Sequence, residues 1–262
     1  MILVFKNLVF YIYSLISTFL ENRLFKKSII LNKNKDFNKN GFQLFALSNK
    51  LDLPIDTDEY YAANPYLNKI LLTRIQIQKI IKIIFVDNGF AKEITQLTGF
   101  NYNIDHITAY ETYHVPSTSK KNNWYANLWH KDGPYSKNNI KIIIPLSDID
   151  DKSGAMKIIS SKISRKYSPA MGVDKKFNPD LEFMSNSLEN ILVFCPHLCL
   201  HKAGNPEPKK IRKQLMIQIN PSLKWSFNNN LFENQKFIEP KFPLLNNLLK
   251  SKNTKTKLFE VA

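Results

Sequence analysis

Short apolar segments separated by turn-forming residues make up most of the sequence after Gly99. They are rich in Ile, Val, Leu and aromatic residues, and Gly, Pro, Asn, Asp and Ser lie between most of them, which is typical of β-strands. Because no helical periodicity alternates with these segments, they indicate a β-sandwich or jelly roll and not a parallel α/β fold. The candidate strands cover residues 107–115, 124–130, 140–146, 156–159, 191–195, 198–201 and 215–219.

The residues before Gly99 differ from this pattern. Residues 24–64 are mixed and polar with proline breakers, so we expect loops with short irregular elements. In residues 65–86 the apolar positions recur with a period near 3.6, which predicts one long amphipathic helix, followed by a short helix over 91–97. The chain is therefore expected to be mainly β with added helices.

The length of 262 residues suits one catalytic unit. We divide it into an N-terminal helical and loop region that packs on the core, residues 1–100, and a β core, residues 101–222. Residues 223–262 are expected to wrap the surface and to end in a short helix near 243–249.

The composition is that of a globular protein, with 44% hydrophobic and 23% charged residues, which excludes wholesale disorder. The formal net charge of +15 has two explanations that stay open. Lys and Asn are abundant throughout, which fits compositional drift at surface positions, whereas a clustered excess would attract an anionic partner. We expect no nucleic-acid partner.

Cys195 and Cys199 lie in an apolar run without a CxxC pair, which favours packed free thiols, no structural zinc and a reducing, cytoplasmic location.

Residues 1–20 are strongly apolar, but Lys6 and Asn7 interrupt them. The remaining apolar stretch is short for a membrane span, and the basic start and small-residue cleavage site of a secretory signal are missing. Three alternatives stay open: a helix docked on the body of the protein, an interfacial helix in peripheral contact with a membrane, and a span or signal.

A histidine and an aspartate lie two residues apart at the end of a candidate strand, in Trp129-His130-Lys131-Asp132. Side chains at i and i+2 of a strand point to the same face, so His130 and Asp132 can present a nitrogen and a carboxylate oxygen to one metal ion. An isolated HxD triplet also occurs by chance and in surface loops. The motif therefore predicts a metal site only if a second feature of the sequence supports it.

The second feature is a distal histidine with an arginine at a suitable spacing. An apolar strand leads to His201, a turn through Gly204 and Asn205 reverses the chain, and Arg212 enters the next strand. Two histidines and one carboxylate leave coordination positions open, which suits Fe(II) that binds a bidentate 2-oxo acid and O₂. Arg212 offers the planar, permanent charge that pairs best with the far carboxylate of such an acid.

Three stretches resemble the phytanoyl-CoA dioxygenase-like family of Fe(II)- and 2-oxoglutarate-dependent oxygenases. They are WHKD at 129–132, KIIIPLSDIDDKSGAMKII at 141–159, and the HKAGN block that runs from His201 to Arg212. The resemblance covers residues 106–220 and implies a double-stranded β-helix, which is a cupin-like jelly roll. It implies Fe(II) on His130, Asp132 and His201, 2-oxoglutarate on Arg212, and hydroxylation of a substrate with release of succinate and CO₂.

The substrate is left open by this resemblance. The chain has Gly154-Ala155 and Ser160-Ser161-Lys162 where relatives often have Gly-Pro and a Gly-Ser-His turn. A small-molecule or lipid-like substrate is expected, and the basic charge favours an anionic one. The carboxylate at Asp132 favours hydroxylation over halogenation.

Several other residues compete for these roles. His197 is an alternative to His201, but the turn and the spacing to Arg212 follow His201. His106 and His114 are expected to be packing or surface residues, or to touch the substrate. The acidic residues Asp148, Asp150 and Asp151 are expected to be solvated charges in a turn.

Two other functions stay open on the sequence alone. The first is a non-catalytic β-sandwich module that binds an anionic ligand, in which the His/Asp set would be incidental. The second is a cupin-type isomerase or a metal-independent relative, which would keep the fold without the oxidation and would not need Arg212.

Overall fold

The structure is a computed structural model that describes residues 2–26, 35–46, 51–55, 60–119, 127–132, 136–166, 190–228, 244, 248 and 255–257. This part of the chain is mainly antiparallel β-sheet with helices around it, as the sequence predicts. The helices are α1 Ile2–Leu24, α2 Lys35–Asn40, α3 Arg74–Ile81, a π-helical segment Lys82–Asp87, α4 Phe90–Thr98 and α5 Ser161–Ser164. The strands are β1 Phe42–Ala46, β2 Tyr60–Asn64, β3 Leu67–Ile70, β4 Asn101–Tyr113, β5 Ile140–Pro145, β6 Lys157–Ile158, β7 Asn190–Phe194, β8 His201–Lys202, β9 Ile211–Ser222, β10 Ser226–Asn228 and β11 Lys255–Lys257.

Most strands belong to one large sheet with the order β1-β7-β5-β9-β4-β10-β11, and β3 and β2 add to β4 on a branch. The centre is the long antiparallel pair of β4 and β9, which runs from Asn101↔Ser222 to Tyr113↔Ile211 with one irregularity between Ile104 and His106. A second, two-stranded sheet of β6 and β8 packs on one face of the large sheet, because Ile158 clusters with Ile143 and Leu192. Two sheets packed in this way form a jelly-roll-like core.

The two faces of the large sheet have different surroundings because side chains alternate along each strand. One face is rich in isoleucine and packs under α3, the π-helical segment and α4 in the main hydrophobic core. That cluster includes Ile142, Ile144, Ile191, Ile217 and Ile219 from the strands, with Ile80, Phe85 and Ile94 from the helices. The opposite face turns toward β6 and β8, and it carries the polar residues of the candidate site.

The predicted helix over 65–86 is wrong in its first part. Residues 67–70 form β3, whose backbone pairs with the edge of β4 from Leu67↔Thr112 to Ile70↔Ala109. The helix starts only after Thr73, where the Thr73 side chain accepts from Gln76 N and the Gln76 side chain accepts from Thr73 N. This reciprocal capping box satisfies the free amides of the first turn. In residues 67–70, strand pairing with β4 thus outweighs the helical periodicity of the sequence.

The candidate strand 124–130 is wrong in its described part, where only His130 forms a β-bridge, and the other secondary-structure predictions differ from the structure mainly at their ends. Residues 42–46 were expected in a loop but form β1, which pairs with β7 from Phe42↔Phe194 to Ala46↔Asn190. β4 begins at Asn101 and not at 107, and only His201 of the 198–201 segment is in a strand. Residues 124–126, and most of 243–249, lie outside the described residues. Cys195 and Cys199 are buried and free, which confirms the prediction of packed thiols.

The N-terminal helix α1 docks on the body of the protein through its C-terminal half. Ser17, Glu21 and the following Phe25 are buried there. Within the described residues, no helix is both long and apolar enough to cross a membrane.

Candidate metal centre

His130 and His201 lie opposite each other in an isolated antiparallel bridge between neighbouring segments. His130 N donates to His201 O at 3.0 Å, and His201 N donates to His130 O at 2.9 Å. Asp132 is held two residues further by a hydrogen bond from its backbone N to Pro196 O, at 3.0 Å. Backbone pairing therefore brings the sequence-predicted HxD pair and the distal histidine together.

One ligand atom from each of His130, Asp132 and His201 lies within 4.8 Å of the others. The Oδ1 atom of Asp132 is 3.5 Å from His130 Nε2 and 3.6 Å from His201 Nε2. Two imidazole nitrogens and one carboxylate oxygen that converge in this way could hold one metal ion.

The orientation of both imidazole rings is set by the backbone carbonyl two residues earlier. His130 Nδ1 is 2.7 Å from Leu128 O, and His201 Nδ1 is 3.0 Å from Cys199 O. Since a carbonyl oxygen can only accept, each Nδ1 carries a hydrogen, and in the neutral tautomer of each ring Nε2 is then the unprotonated nitrogen. That tautomer directs both lone pairs toward Asp132 and is the one required for metal binding through Nε2.

The charges of the site also suit a cation. Burial acts to raise the pKa of Asp132, but the Lys141 ammonium and the two histidines outweigh it and hold this pKa well below its usual value. Burial lowers the pKa of His201. At neutral pH the site therefore offers a carboxylate and a neutral imidazole, and metal ions bind these two forms.

Lys141 is a site residue that the sequence analysis missed. Its Nζ forms an ion pair with Asp132 Oδ2, the carboxylate oxygen that points away from the histidines. Lys141 belongs to β5 and shares with Ile143 the face that turns toward the second sheet. A charged residue at an inward position of an otherwise apolar strand was the signal that could have identified it.

A cavity of about 150 Å³ adjoins the three residues, and Arg212 lines it. The wall combines polar and apolar side chains from both sheets. The lining residues are Tyr110, His130, Asp132, Lys141, Ile143, Met156, Phe194, His201, Ala203, Arg212, Gln214 and Met216.

The guanidinium of Arg212 is buried and held by backbone carbonyls. Its Nη1 donates to Gly154 O at 2.5 Å and to Gly204 O at 3.0 Å, and its Nη2 donates to Thr112 Oγ1 at 3.2 Å. Its Nε is buried without a partner, and none of the described carboxylates forms an ion pair with it. A buried charge is costly unless it is paired, so this cation suits an anionic ligand in the cavity.

The remaining histidines lie outside the ligand group. Both ring nitrogens of His197 are buried without a hydrogen-bond partner among the described residues, and burial lowers its pKa to about 3. His106 pairs in register with Gln218, next to Lys141, and burial lowers its pKa to about 4. His114 Nδ1 is 2.7 Å from Pro206 O, so it supports the turn after His201. Asp148, Asp150 and Asp151 are exposed, as predicted.

No known protein-family model matches the chain, and no curated protein matches it in sequence. Solved structures do match its fold. The chain is similar to HygX from Streptomyces hygroscopicus with nickel and 2-oxoglutarate bound, with a TM-score of 0.50 and 8% identity over 72% of this chain and 86% of that one. It is also similar to SnoN, a non-heme alpha ketoglutarate dependent epimerase from nogalamycin biosynthesis, with a TM-score of 0.49 and 11% identity over 71% and 80%. At 8% identity, the HygX comparison shows a shared fold alone.

Proposed function

We propose that this chain is an Fe(II)- and 2-oxoglutarate-dependent oxygenase that hydroxylates a small-molecule or lipid-like substrate and releases succinate and CO₂. The observation that carries the proposal is the placement of two features in one cavity. His130, Asp132 and His201 converge there, and the buried guanidinium of Arg212 lines the same space without a carboxylate partner in the described part of the chain.

The residues fit both proposed ligands. A 2-His-1-carboxylate set leaves several positions of a metal ion open, as Fe(II) requires when it binds a 2-oxo acid and O₂. Arg212 then pairs with the far carboxylate of 2-oxoglutarate in bidentate geometry. When bound, the iron and 2-oxoglutarate supply the oxidising chemistry, and the protein supplies binding and orientation.

The chain's own residues each have a defined task in this proposal. The carbonyls of Leu128 and Cys199 hold the imidazole rings of His130 and His201 with Nε2 toward the metal. Lys141 holds Oδ2 of Asp132, so that Oδ1 is the oxygen that faces the histidines. The apolar side chains of Ile143, Met156 and Phe194 exclude water from the cavity wall.

The fold comparison supports this proposal. The HygX structure contains nickel and 2-oxoglutarate, and HygX shares its fold with this chain. The strand order β7-β5-β9-β4 of the large sheet, opposite β6, β8 and the His130 bridge, supports a double-stranded β-helix. The narrower resemblance to the phytanoyl-CoA dioxygenase-like family remains a proposal that rests on the sequence motifs.

Anaerobic addition of Fe(II) and 2-oxoglutarate tests the proposal. We expect the weak visible charge-transfer band of a 2-oxo acid chelated to iron, and we expect His130→Ala and Asp132→Ala to abolish it because each removes a ligand. Asp148→Ala, which removes an exposed carboxylate from the neighbouring turn, is the matched control and should keep the band. The metal assignment is wrong if both ligand variants retain the band and full metal affinity. Failure of the wild-type chain to bind either ligand would favour the non-catalytic binding module.

A further inference from the structure

The helix α1 has an unusual distribution of side chains, because its docked face buries polar residues beside the partly buried Tyr13 and Leu20, whereas its free face is apolar. Ser14, Ser17 and Glu21 are buried. On the opposite side, the six apolar residues Val9, Tyr11, Ile12, Leu15, Ile16 and Phe19 are exposed, with Phe19 at 61% and Ile16 at 52%. At 100° per residue these six fall on one continuous side of the helix, which we call the outer face.

Specific polar contacts hold α1 in this orientation. Glu21 accepts hydrogen bonds from the Ser136 hydroxyl and from Asn138 Nδ2, the latter at 3.0 Å. Thr18 Oγ1 accepts from Lys137 N at 3.0 Å, one turn earlier on the helix. Docking of an amphipathic helix normally buries its apolar side. Here the hydrogen bonds of Thr18 and Glu21, together with the packing of Tyr13 and Leu20 on the main core, hold this side inward, so the outer face remains turned away from the body of the protein.

The exposed apolar surface is concentrated on this helix. Seven of the twelve exposed large hydrophobic residues in the described part of the chain lie on α1. Scattered exposed hydrophobic residues are normal in soluble proteins, but a continuous patch marks a surface that binds a partner or a membrane.

The charges near the outer face identify the kind of partner. The helical angles place Arg23 on the same side as the six apolar residues, and Arg23 is exposed. The acidic residue of α1, Glu21, is buried on the other side. With a formal net charge of +15, a second copy of the chain would be repelled, whereas an anionic surface would be attracted.

We propose that the outer face of α1 binds the surface of a membrane that contains anionic lipid, with the helix lying in the plane of the interface. The apolar residues from Val9 to Phe19 enter the boundary between headgroups and acyl chains, and Arg23 contacts the lipid headgroups. This inference does not depend on the proposed oxygenase activity, because none of these residues lines the candidate metal centre.

Vesicle sedimentation with the full chain, without added metal, tests this inference. The probes are vesicles of phosphatidylcholine alone and vesicles in which about one lipid in three is phosphatidylserine. We expect binding to the anionic vesicles that weakens as salt is raised. Ile16→Gln with Phe19→Gln should lower the partition coefficient by roughly tenfold to a hundredfold, because two apolar side chains no longer enter the interface.

The matched control replaces two equally exposed apolar residues outside α1, with Ile75→Gln and Leu223→Gln. It should bind the vesicles like the wild type. Equal vesicle binding by the α1 variant and the wild type would overturn the inference, and so would equal binding of the wild type to neutral and anionic vesicles. Self-association that the α1 variant abolishes, without vesicle binding, would assign the outer face to a second copy. Circular dichroism should show that all variants are folded.

Discussion

At the scale of single residues, His201 and His197 differ in what their ring nitrogens contact. His201 has Nδ1 at 3.0 Å from Cys199 O and Nε2 at 3.6 Å from Asp132 Oδ1, whereas both nitrogens of His197 are buried without a partner in the described part of the chain. The first arrangement is that of an oriented ligand. The second is that of a neutral packing residue.

His201→Ala should therefore lower the affinity for Co(II) by more than about a hundredfold, since losing a ligand costs more than losing an outer-shell partner. His197→Ala should keep most of the affinity. Titration against a chelating competitor measures both. If His197→Ala loses the metal and His201→Ala keeps it, the site lies four residues earlier and the spacing argument for Arg212 fails.

Arg212 is the residue that distinguishes a 2-oxo acid site from a simple metal site. Arg212→Ala should weaken the binding of 2-oxoglutarate by about 2–5 kcal/mol, or roughly thirtyfold to several-thousandfold in affinity. It should change the metal affinity far less. Arg212→Lys should recover only part of the lost 2-oxoglutarate affinity, because an ammonium cannot form the bidentate contact.

Titration of 2-oxoglutarate into protein with a filled metal site measures this effect. The control is Lys210→Ala, which removes an exposed cation two residues away and should leave the affinity unchanged. Equal affinity in wild type and Arg212→Ala would transfer the role to another cation of the cavity, Lys141 foremost.

At the scale of elements, the contact between α1 and the segment before β5 includes one buried carboxyl group. Burial raises the pKa of Glu21 from 4.5 to about 7, although the hydrogen bonds from Ser136 and Asn138 act to lower it. The folded protein thus binds this proton more tightly than the unfolded chain. Its contribution to stability is greatest at low pH, falls as pH rises between 4.5 and about 7, and is constant above that.

Glu21→Gln should remove this pH dependence, because the glutamine carbonyl still accepts both hydrogen bonds and does not ionise. We expect the variant to gain up to about 3 kcal/mol relative to wild type on going from about pH 5 to about pH 8. Urea unfolding of both proteins at the two pH values measures this difference in the free energy of unfolding. The contributions of the other titrating groups are the same in both proteins and cancel. If the free energy of unfolding changes equally in the two proteins between these pH values, burial does not raise the pKa of Glu21.

The turns around Gly154 and Gly204 hold the carbonyl groups that position Arg212. Gly154 has φ of +82°, and a Cβ on Gly204 would overlap with Ala155 O and lie 2.7 Å from Gly154 O. Gly204→Ala should therefore push these two segments apart. Overpacking of this kind costs about 1–3 kcal/mol, and here it also displaces both carbonyl acceptors of Arg212.

The matched control is Gly89→Ala, at φ of +66° with nothing within 4 Å of the added Cβ. Both variants should lose stability, the control by about 1–2 kcal/mol of backbone strain. Only Gly204→Ala should also weaken the binding of 2-oxoglutarate. If the two variants bind 2-oxoglutarate equally well, the turns do not position Arg212.

At the scale of the whole molecule, one large sheet separates two environments. Its isoleucine-rich face lies under the helices and forms the main core. Its other face carries Lys141, Arg212 and Gln214 into the cavity beneath β6 and β8. The alternation of side chains along β5 and β9 lets the same strands stabilise the fold and build the site.

The strand-rich core and the residues of the candidate site could be predicted from the sequence. His130 and Asp132 are two residues apart, and His201 and Arg212 are joined by one turn, so their grouping depends on local geometry that a sequence displays. The structure brings these four residues into one cavity. The periodic residues of α3 and α4 were likewise visible in the sequence, because helical contacts are local.

Features that depend on partners far away in the chain could not be predicted from the sequence. Residues 67–70 became a strand because the edge of β4 was free to pair with them, and residues 42–46 did so along β7. Lys141 reaches Asp132 because β5 pairs with β7, and the backbone of Asp132 bonds to Pro196 just after β7. The outward orientation of the outer face of α1 depends on the contacts of its other side, among them the hydrogen bonds from Ser136 and Asn138 to Glu21, more than a hundred residues away. Propensity and periodicity describe one segment at a time, whereas strand pairing and buried polar contacts depend on which segments meet.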